Sequence, residues 1–401
     1  MRILHVIAKM DPELGGVCKA IRTITRVGAE NNIIHEVVSL DDPDSDFIKT
    51  DPFKIYSLGP AENIWNYNND LNLWLNKNIF QYKLVIVHGL WLYPSYVIQK
   101  IFKNNKKTMP AYYVMPHGML DPYFQKAEGR KLKAYRNWLY WKMIENKTVS
   151  NATGLLFTCE EEKELASKSF EPYTPKKEIV IGLGVESPPD YEISMAHAFY
   201  KICPDVIDHP YILFLSRINE KKGLINLLKA YIKIHEESNS SNKLPKLVIA
   251  GPGMDSNYGI GLKHLINEHP KISKKVKFVG MIKDRQKWGA FYHSQAFILP
   301  SHQENFGIAI VEALACSKPV LISDKVNIWR EIEDANAGIV EDDSEEGCYN
   351  LLKKWISKST KEKESYSQNA LKCYSENFNM AAFSENWKEL INKTDIYSFA
   401  N

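Results

Sequence analysis

An alternation limits what this chain can fold into. Short apolar runs, each closed by a glycine, a proline or a polar turn, are followed by amphipathic stretches at helical spacing, and the pattern runs through both halves of the chain. Residues 3–8 are apolar apart from His5, as a strand buried on both faces of a parallel sheet should be. Gly15-Gly16 follows, then Val17, Ala20, Ile21 and Ile24 at helical spacing. Residues 35–40, 84–88, 112–115, 155–158 and 179–181 read as further strands. Gly182-Leu183-Gly184 and Ser187-Pro188-Pro189 interrupt the pattern. It restarts with strands at 211–215, 246–250, 276–279, 296–299 and 320–322. Helices are expected over 130–146, 223–234, 308–315 and 353–365, and an acidic loop over 341–347.

Strand and helix alternating twice predicts an α/β chain with two doubly wound Rossmann-like domains. The expected boundaries are 1–186, a linker at 187–210, and 211–375. A C-terminal helix over 376–401, carrying Phe378, Phe383 and Trp387, is expected to pack back on the first domain. Ligands of such sheets bind beyond the carboxyl ends of the strands, so a cleft between the domains is the expected site.

Charge narrows the partners. Lys and Arg number 51 and Asp and Glu 48, a net +3, which excludes a nucleic-acid clamp. The six cysteines are far apart, with no pair at zinc spacing, so neither a disulfide framework nor a structural metal is expected. No signal peptide and no transmembrane helix are read, and a cytoplasmic setting is expected. Positive charge is uneven, however. Residues 101–150 hold ten basic and three acidic side chains. Within 125–147 the cations alternate with Tyr135, Trp138, Tyr140, Trp141 and Met143. Such a helix either lies on an anionic membrane surface or buries its aromatics in the domain.

The densest chemistry lies in residues 301–312. Glu304 and Glu312 are seven residues apart, with a strand ending before the first and a helix beginning near Phe306. Asn305 reads as the N-cap, leaving the N–H groups of Phe306 and Gly307 as donors at the positive end of a helix dipole. That place suits sugar hydroxyls and diphosphate oxygens. Glu312, two turns on, can hold a diol such as a ribose.

This arrangement resembles the Glu-x7-Glu motif of the retaining glycosyltransferases of family 4, which have the GT-B fold, and the likeness extends over nearly the whole chain. Residues 214–224, with Arg217 at a strand end and Lys222 before a glycine, look like the family's phosphate-binding segment; two cations so spaced can straddle a diphosphate. Ser216 departs from the family's usual glycine. Gly15-Gly16 resembles the family's N-terminal glycine loop, where missing Cβ atoms let amides approach the diphosphate. The segment Pro116-His117-Gly118 resembles the one that places its second residue over the donor sugar. His88 and Trp91 are candidates for acceptor contact, and Thr158 for either acceptor contact or helix capping. Gly280, Met281 and Ile282 are expected to face the base.

The resemblance implies retaining transfer of a sugar from a UDP- or GDP-linked donor to a glycan or lipid-linked acceptor, in surface polysaccharide assembly and with peripheral contact to the membrane. Arg217, Lys222, Glu304 and His117 would carry the catalysis. Glu304 is assigned to orienting the sugar, because the family has no settled side-chain nucleophile. No metal and no other cofactor is expected: the one Asp-x-Asp, Asp44-Ser45-Asp46, lies in a polar loop. Two rival readings remain, a GT-B nucleotide-sugar epimerase and a non-catalytic nucleotide-sugar-binding protein.

Overall fold

The computed structural model describes residues 1–27, 33–61, 63–105, 109–127, 129–237 and 244–398. The chain divides into two compact units, 1–184 with 383–401, and 185–382.

The first unit is built on strands β1 (Arg2–Val6), β2 (Ile34–Ser39), β3 (Lys54–Ser57), β4 (Leu84–His88), β5 (Ala111–Met115), β6 (Gly154–Phe157) and β7 (Glu178–Val180). They pair in parallel in the order β3-β2-β1-β4-β5-β6-β7. Alternate side chains divide between the faces. Leu4, Val6, Val38, Val85, Val87, Tyr112 and Val114 enter one large core. Ile7 and Val37 join Ile21 of the helix Gly16–Val27 in another.

The second unit repeats the plan with β8 (Tyr211–Leu215), β9 (Lys246–Ala250), β10 (Val276–Gly280), β11 (Ala296–Leu299), β12 (Val320–Ser323) and β13 (Gly338–Glu341). Its order is β10-β9-β8-β11-β12-β13, again parallel. In both sheets the order reverses beside the first strand, between β1 and β4 and between β8 and β11. Chains leave these neighbours in opposite directions, which opens a crevice at their carboxyl ends.

The two doubly wound sheets agree with the alternation in the sequence. Several details differ. β3 and β13 were not expected. Both are four-residue edge strands with only two consecutive apolar residues each, Ile55-Tyr56 and Ile339-Val340, which do not register as buried runs. The stretch expected as an acidic loop therefore begins on β13 and ends in the helix Glu345–Ser357. The helix expected over 353–365 is two helices, because Ser359 opens Thr360–Cys373 with a capping box to Glu362.

Residues 187–210, expected as a linker, contain the helix Ile193–Ile202. It lies so close to the helix Asp284–His293 that a Cβ at Gly289 would sit 2.1 Å from the Met195 carbonyl oxygen. The final helix, Met380–Ser398, begins later than expected. From Phe383 onward it belongs to the first unit, where Asn386 donates to the Ile181 carbonyl (3.2 Å) and Trp387 is buried.

Candidate functional site

The crevice of the second unit is shaped by close backbone approaches. Beyond β8, Ser216 lies against Gly251, where a Cβ would come within 1.8 Å of the Ser216 carbonyl oxygen. Asn219 accepts from the Lys221 N–H and tightens the turn Glu220–Lys222. Gly223 leaves that turn with φ 67°, and a Cβ there would lie 2.0 Å from the Pro300 carbonyl oxygen. The loop after β8 is thus pressed onto the end of β11. Lys222 is buried there and forms an ion pair with Glu304.

Glu304 is pinned through its own backbone. Its N–H donates to the Lys325 carbonyl (2.9 Å), and its carbonyl accepts from the Asn327 N–H (2.9 Å). Gly307, at φ 75°, turns the chain into the helix Ile308–Ala315. A Cβ on Gly307 would sit 2.6 Å from Ile310 Cδ1 and 3.2 Å from Glu304 Cγ. The N-cap expected at Asn305 is therefore replaced by a left-handed glycine two residues later. Asn305 instead accepts a 3.3 Å bond from Asn327 Nδ2. No described residue accepts from the N–H of Phe306 or Gly307. The Phe306 ring is buried, edge-on to Phe378. Arg217 is exposed, with no ion-pair partner among the described residues.

Glu312 is the residue expected to hold a diol. It is buried and ion-paired with Lys287 (3.1 Å), whose ammonium also lies 4.0 Å from the Trp288 ring centroid. Lys287 stands on another helix and carries no motif that sequence reading could find. Gly280 accepts from the Gly251 N–H (2.7 Å) at the end of β10; beyond it Met281 is exposed and Ile282 buried. Deeper in the loop after β11, His302 meets Asp343 (2.6 Å) and holds that carboxyl below its ordinary range.

In the first unit Gly15 has φ 93°, and open space surrounds the Cβ positions of Gly15 and Gly16 at the start of the helix Gly16–Val27. Between the ends of β1 and β4 lies a cavity of about 270 Å³, lined by Lys9, Val17, His88, Leu90 and Met119 among others. His88 is buried at its margin. Its Nδ1 meets His117 Nε2 at 2.9 Å, and its Nε2 meets His5 Nδ1 at 2.9 Å; His5 Nε2 in turn meets His35 Nδ1 at 2.8 Å. Burial lowers all four rings below the ordinary histidine range, His35 and His117 to about 4. Only His88 and His117 stood out in the sequence.

Two buried glutamates hold the neighbouring turns, and neither was expected. Glu162 accepts from the Gly118 N–H (2.6 Å), the Thr158 N–H (2.8 Å) and the Thr158 hydroxyl (2.6 Å). It fixes the turn at His117, whose φ is 53°, and Thr158 uses its hydroxyl proton inside the protein. Glu145 accepts from the Trp91 N–H (2.7 Å) and the Ser95 hydroxyl (2.6 Å). Burial pushes its carboxyl up to about 7. The Trp91 ring packs among Tyr140, Trp141 and Phe170.

Glu145 lies in a π-helical turn, Trp141–Glu145, that interrupts the expected helix over 130–146 after its first part, Lys131–Tyr140. The aromatics of this segment divide. Trp141 is fully buried, whereas Leu132, Tyr135, Trp138, Leu139 and Met143 are exposed beside Lys131, Lys133, Arg136 and Lys142. No described helix is long and apolar enough to cross a membrane. Asp44 and Asp46 are exposed at a turn.

Residues 206–372 match the family model of the group 1 glycosyl transferases. That match contains Arg217, Lys222, Glu304 and Glu312. An uncharacterized glycosyltransferase of Methanocaldococcus jannaschii is 31% identical over 138 residues, 33% of this chain and 32% of that one. The chain spans less than half the length of the curated relatives it matches. Over its whole length it resembles sucrose-phosphate synthase from Thermosynechococcus elongatus, with TM-score 0.74, 18% identity and 99% of both chains covered. It also resembles Anabaena HepE, solved in complex with UDP and glucose, with TM-score 0.73, 15% identity, and coverage of 98% of this chain and 100% of that one. The fold is GT-B.

The buried groups of the first unit set how its stability depends on pH. Folded His35 and His117 protonate at about 4, against 6.5 for a free ring, and His5 and His88 are lowered too. Between those values the unfolded chain binds more protons, so stability falls as pH falls. Glu145 acts oppositely, since its folded carboxyl holds a proton up to about 7. Burial raises the Asp41 carboxyl as well, in the same sense as Glu145, and four rings outweigh these two carboxyls. Urea titrations at about pH 7 and about pH 5 should show the first unit less stable in acid. The acid loss should shrink in His5→Phe and grow in Glu145→Gln; equal stability at both pH values would contradict this.

Proposed function

We propose that the chain is a retaining, metal-independent glycosyltransferase that moves a sugar from a UDP- or GDP-linked donor to a glycan or lipid-linked acceptor in surface polysaccharide biosynthesis. One observation carries the reading. Lys222 and Glu304 meet as an ion pair beyond the carboxyl ends of β8 and β11, Arg217 is exposed two residues after β8, and the N–H groups of Phe306 and Gly307 have no acceptor among the described residues, all within the stretch matching the group 1 glycosyl transferases. The complex of HepE with UDP and glucose supports a nucleotide-linked donor.

In this reading Arg217, Lys222 and the two amides take the diphosphate oxygens. As the anomeric C–O bond breaks, the bonding pair leaves with the diphosphate, and these preorganised donors stabilise the growing charge. These two cations supply the neutralisation that a divalent ion supplies elsewhere. Lys222 turns toward phosphate and leaves Glu304 to accept hydrogen bonds from sugar hydroxyls. Glu312, oriented by Lys287, accepts from the ribose, and Met281 and Ile282 flank the base. Gly15 and Gly16 leave room for phosphate oxygens near backbone amides, and His117 contacts the donor sugar. The apolar cavity beside His88 receives the acceptor. Its hydroxyl attacks from the side the diphosphate leaves and gives its proton to the departing phosphate oxygen, which retains the anomeric configuration.

The exposed face of Lys131–Tyr140 and the following turn fits the same reading. Apolar side chains alternate there with cations, the composition that seats a helix at an anionic bilayer surface. We assign it to peripheral contact with such a membrane, where a lipid-linked acceptor would lie.

Sugar release from UDP- and GDP-sugars, with and without glycan acceptors, tests the central reading. Activity should persist in EDTA and fall about 100-fold or more in Arg217→Ala and in Glu304→Ala, with folding kept; full activity in both variants would refute the site. Sedimentation with anionic vesicles tests the surface. Binding should weaken with salt and in Lys131→Glu/Lys133→Glu; no binding at low salt would rule the surface out.

A further inference from the structure

Four histidines of the first unit, three of them buried and His117 half-buried, are placed by a rule. β2, β1, β4 and β5 are consecutive neighbours in the sheet. His35 on β2 stands opposite Ile3, two residues before His5 on β1. His5 stands opposite Ile86, two residues before His88 on β4. His88 stands opposite Met115, two residues before His117. A stagger of two keeps side chains on one face of a sheet. The rings therefore climb diagonally across four strands, with neighbouring centroids 5.1, 5.1 and 5.2 Å apart. At the low end the His35 ring meets the Trp387 ring edge-on at 6.4 Å.

Each contact joins a ring nitrogen to a ring nitrogen at 2.8–2.9 Å, within the range of a hydrogen bond that shares one proton. Burial keeps the rings neutral, so each carries a single N–H. These two facts leave little freedom. If His117 carries its proton on Nε2, it donates to Nδ1 of His88. His88 must then carry its proton on Nε2 and donate to His5, and His5 likewise to His35. If His117 carries its proton on Nδ1, every ring must do the same. Any mixed pattern sets two lone pairs, or two N–H groups, against each other in a buried contact, which costs a lost hydrogen bond and a desolvated polar group.

We propose that His35, His5, His88 and His117 form one tautomeric unit with two states, and that this unit decides whether Nδ1 of His117 offers an acceptor or a donor to a sugar hydroxyl. His117 is the residue that meets substrate; the other three are positioning residues. The role at the sugar rests on the proposed function above, whereas the coupling of the rings does not. The consequence is that a contact at β2, on the far side of the switch point, selects the hydrogen bond available at the end of β5. The recognised sugar hydroxyl is thereby matched to one tautomer.

Nitrogen NMR on the full chain with ¹⁵N-labelled histidine tests the coupling directly. The folded protein should show the same tautomer on all four rings and scalar coupling between the paired nitrogens across each contact. His35→Phe, which leaves His88 and His117 in place, should shift the tautomer balance at His117. His5→Phe should do so too; if it fails to fold, the wild-type couplings and His35→Phe still decide. Mixed tautomers on neighbouring rings, or a His117 spectrum unchanged in a folded His35→Phe, would overturn the proposal. Kinetics then separate the two claims. With transfer measurable in the wild type, His35→Phe should lower kcat several-fold at unchanged KM for the nucleotide-sugar. Unchanged kinetics would overturn the role at the sugar. A wild type without transferase activity would defeat the proposed function while leaving the NMR result to stand or fall alone.

Discussion

The ion pair between Lys222 and Glu304 depends on a topological fact. β8 and β11 are hydrogen-bonded neighbours from which the sheet order runs in opposite directions, and Lys222 and Glu304 stand seven and five residues beyond their ends. Side chains from segments 82 positions apart therefore meet at one crevice. Gly223, Gly251 and Gly307 make the meeting possible, since a Cβ at any of them would strike the neighbouring backbone or a packed side chain. The pair is neither exposed nor sealed: Lys222 keeps 11% and Glu304 20% of its side-chain exposure. An exposed pair would be too weak to fix either group, and a fully buried one too costly to open. A half-buried pair holds both groups in place and can still release the ammonium to a stronger anion.

The first unit answers the same topology with different chemistry. Its switch point, between β1 and β4, is occupied by imidazoles rather than by a charged pair, beside an apolar cavity. Neutral rings suit a place that must be dry, because burying four cations together would be prohibitive. Glu162 and Glu145 are two of the buried carboxylates of this region. Both are spent on backbone and hydroxyl donors at turns, and so shape the loops that carry His117 and Trp91.

The sequence told unequally about these two places. Arg217, Lys222 and Glu304 were legible because their spacing is local: a strand end, a glycine, a helix start. Most central strands were legible because burial on both faces leaves a largely apolar run, while β3 and β13 are four-residue edge strands that begin or end on Lys54, Ser57, Gly338 and Glu341 and did not stand out. The N-cap was expected at Asn305, because an asparagine before a helix usually caps it, and stands instead at Gly307, where the close approach to Glu304 and Ile310 asks for a residue without Cβ. His5 and His35 were invisible as a group. Their stagger of two residues has meaning only once strand order is known. Lys287 was hidden for the same reason, since it meets Glu312 from a separate helix.

The central claim is that the crevice beyond β8 and β11 holds a nucleoside diphosphate through freely available and exchangeable cations. Calorimetric titration of UDP and of GDP into the full chain, at low and at raised salt, tests it most directly. One of the two should bind with an affinity that falls as salt rises, and Arg217→Ala should weaken it by about tenfold or more. Binding of neither nucleotide, or equal affinity with and without Arg217, would contradict the account.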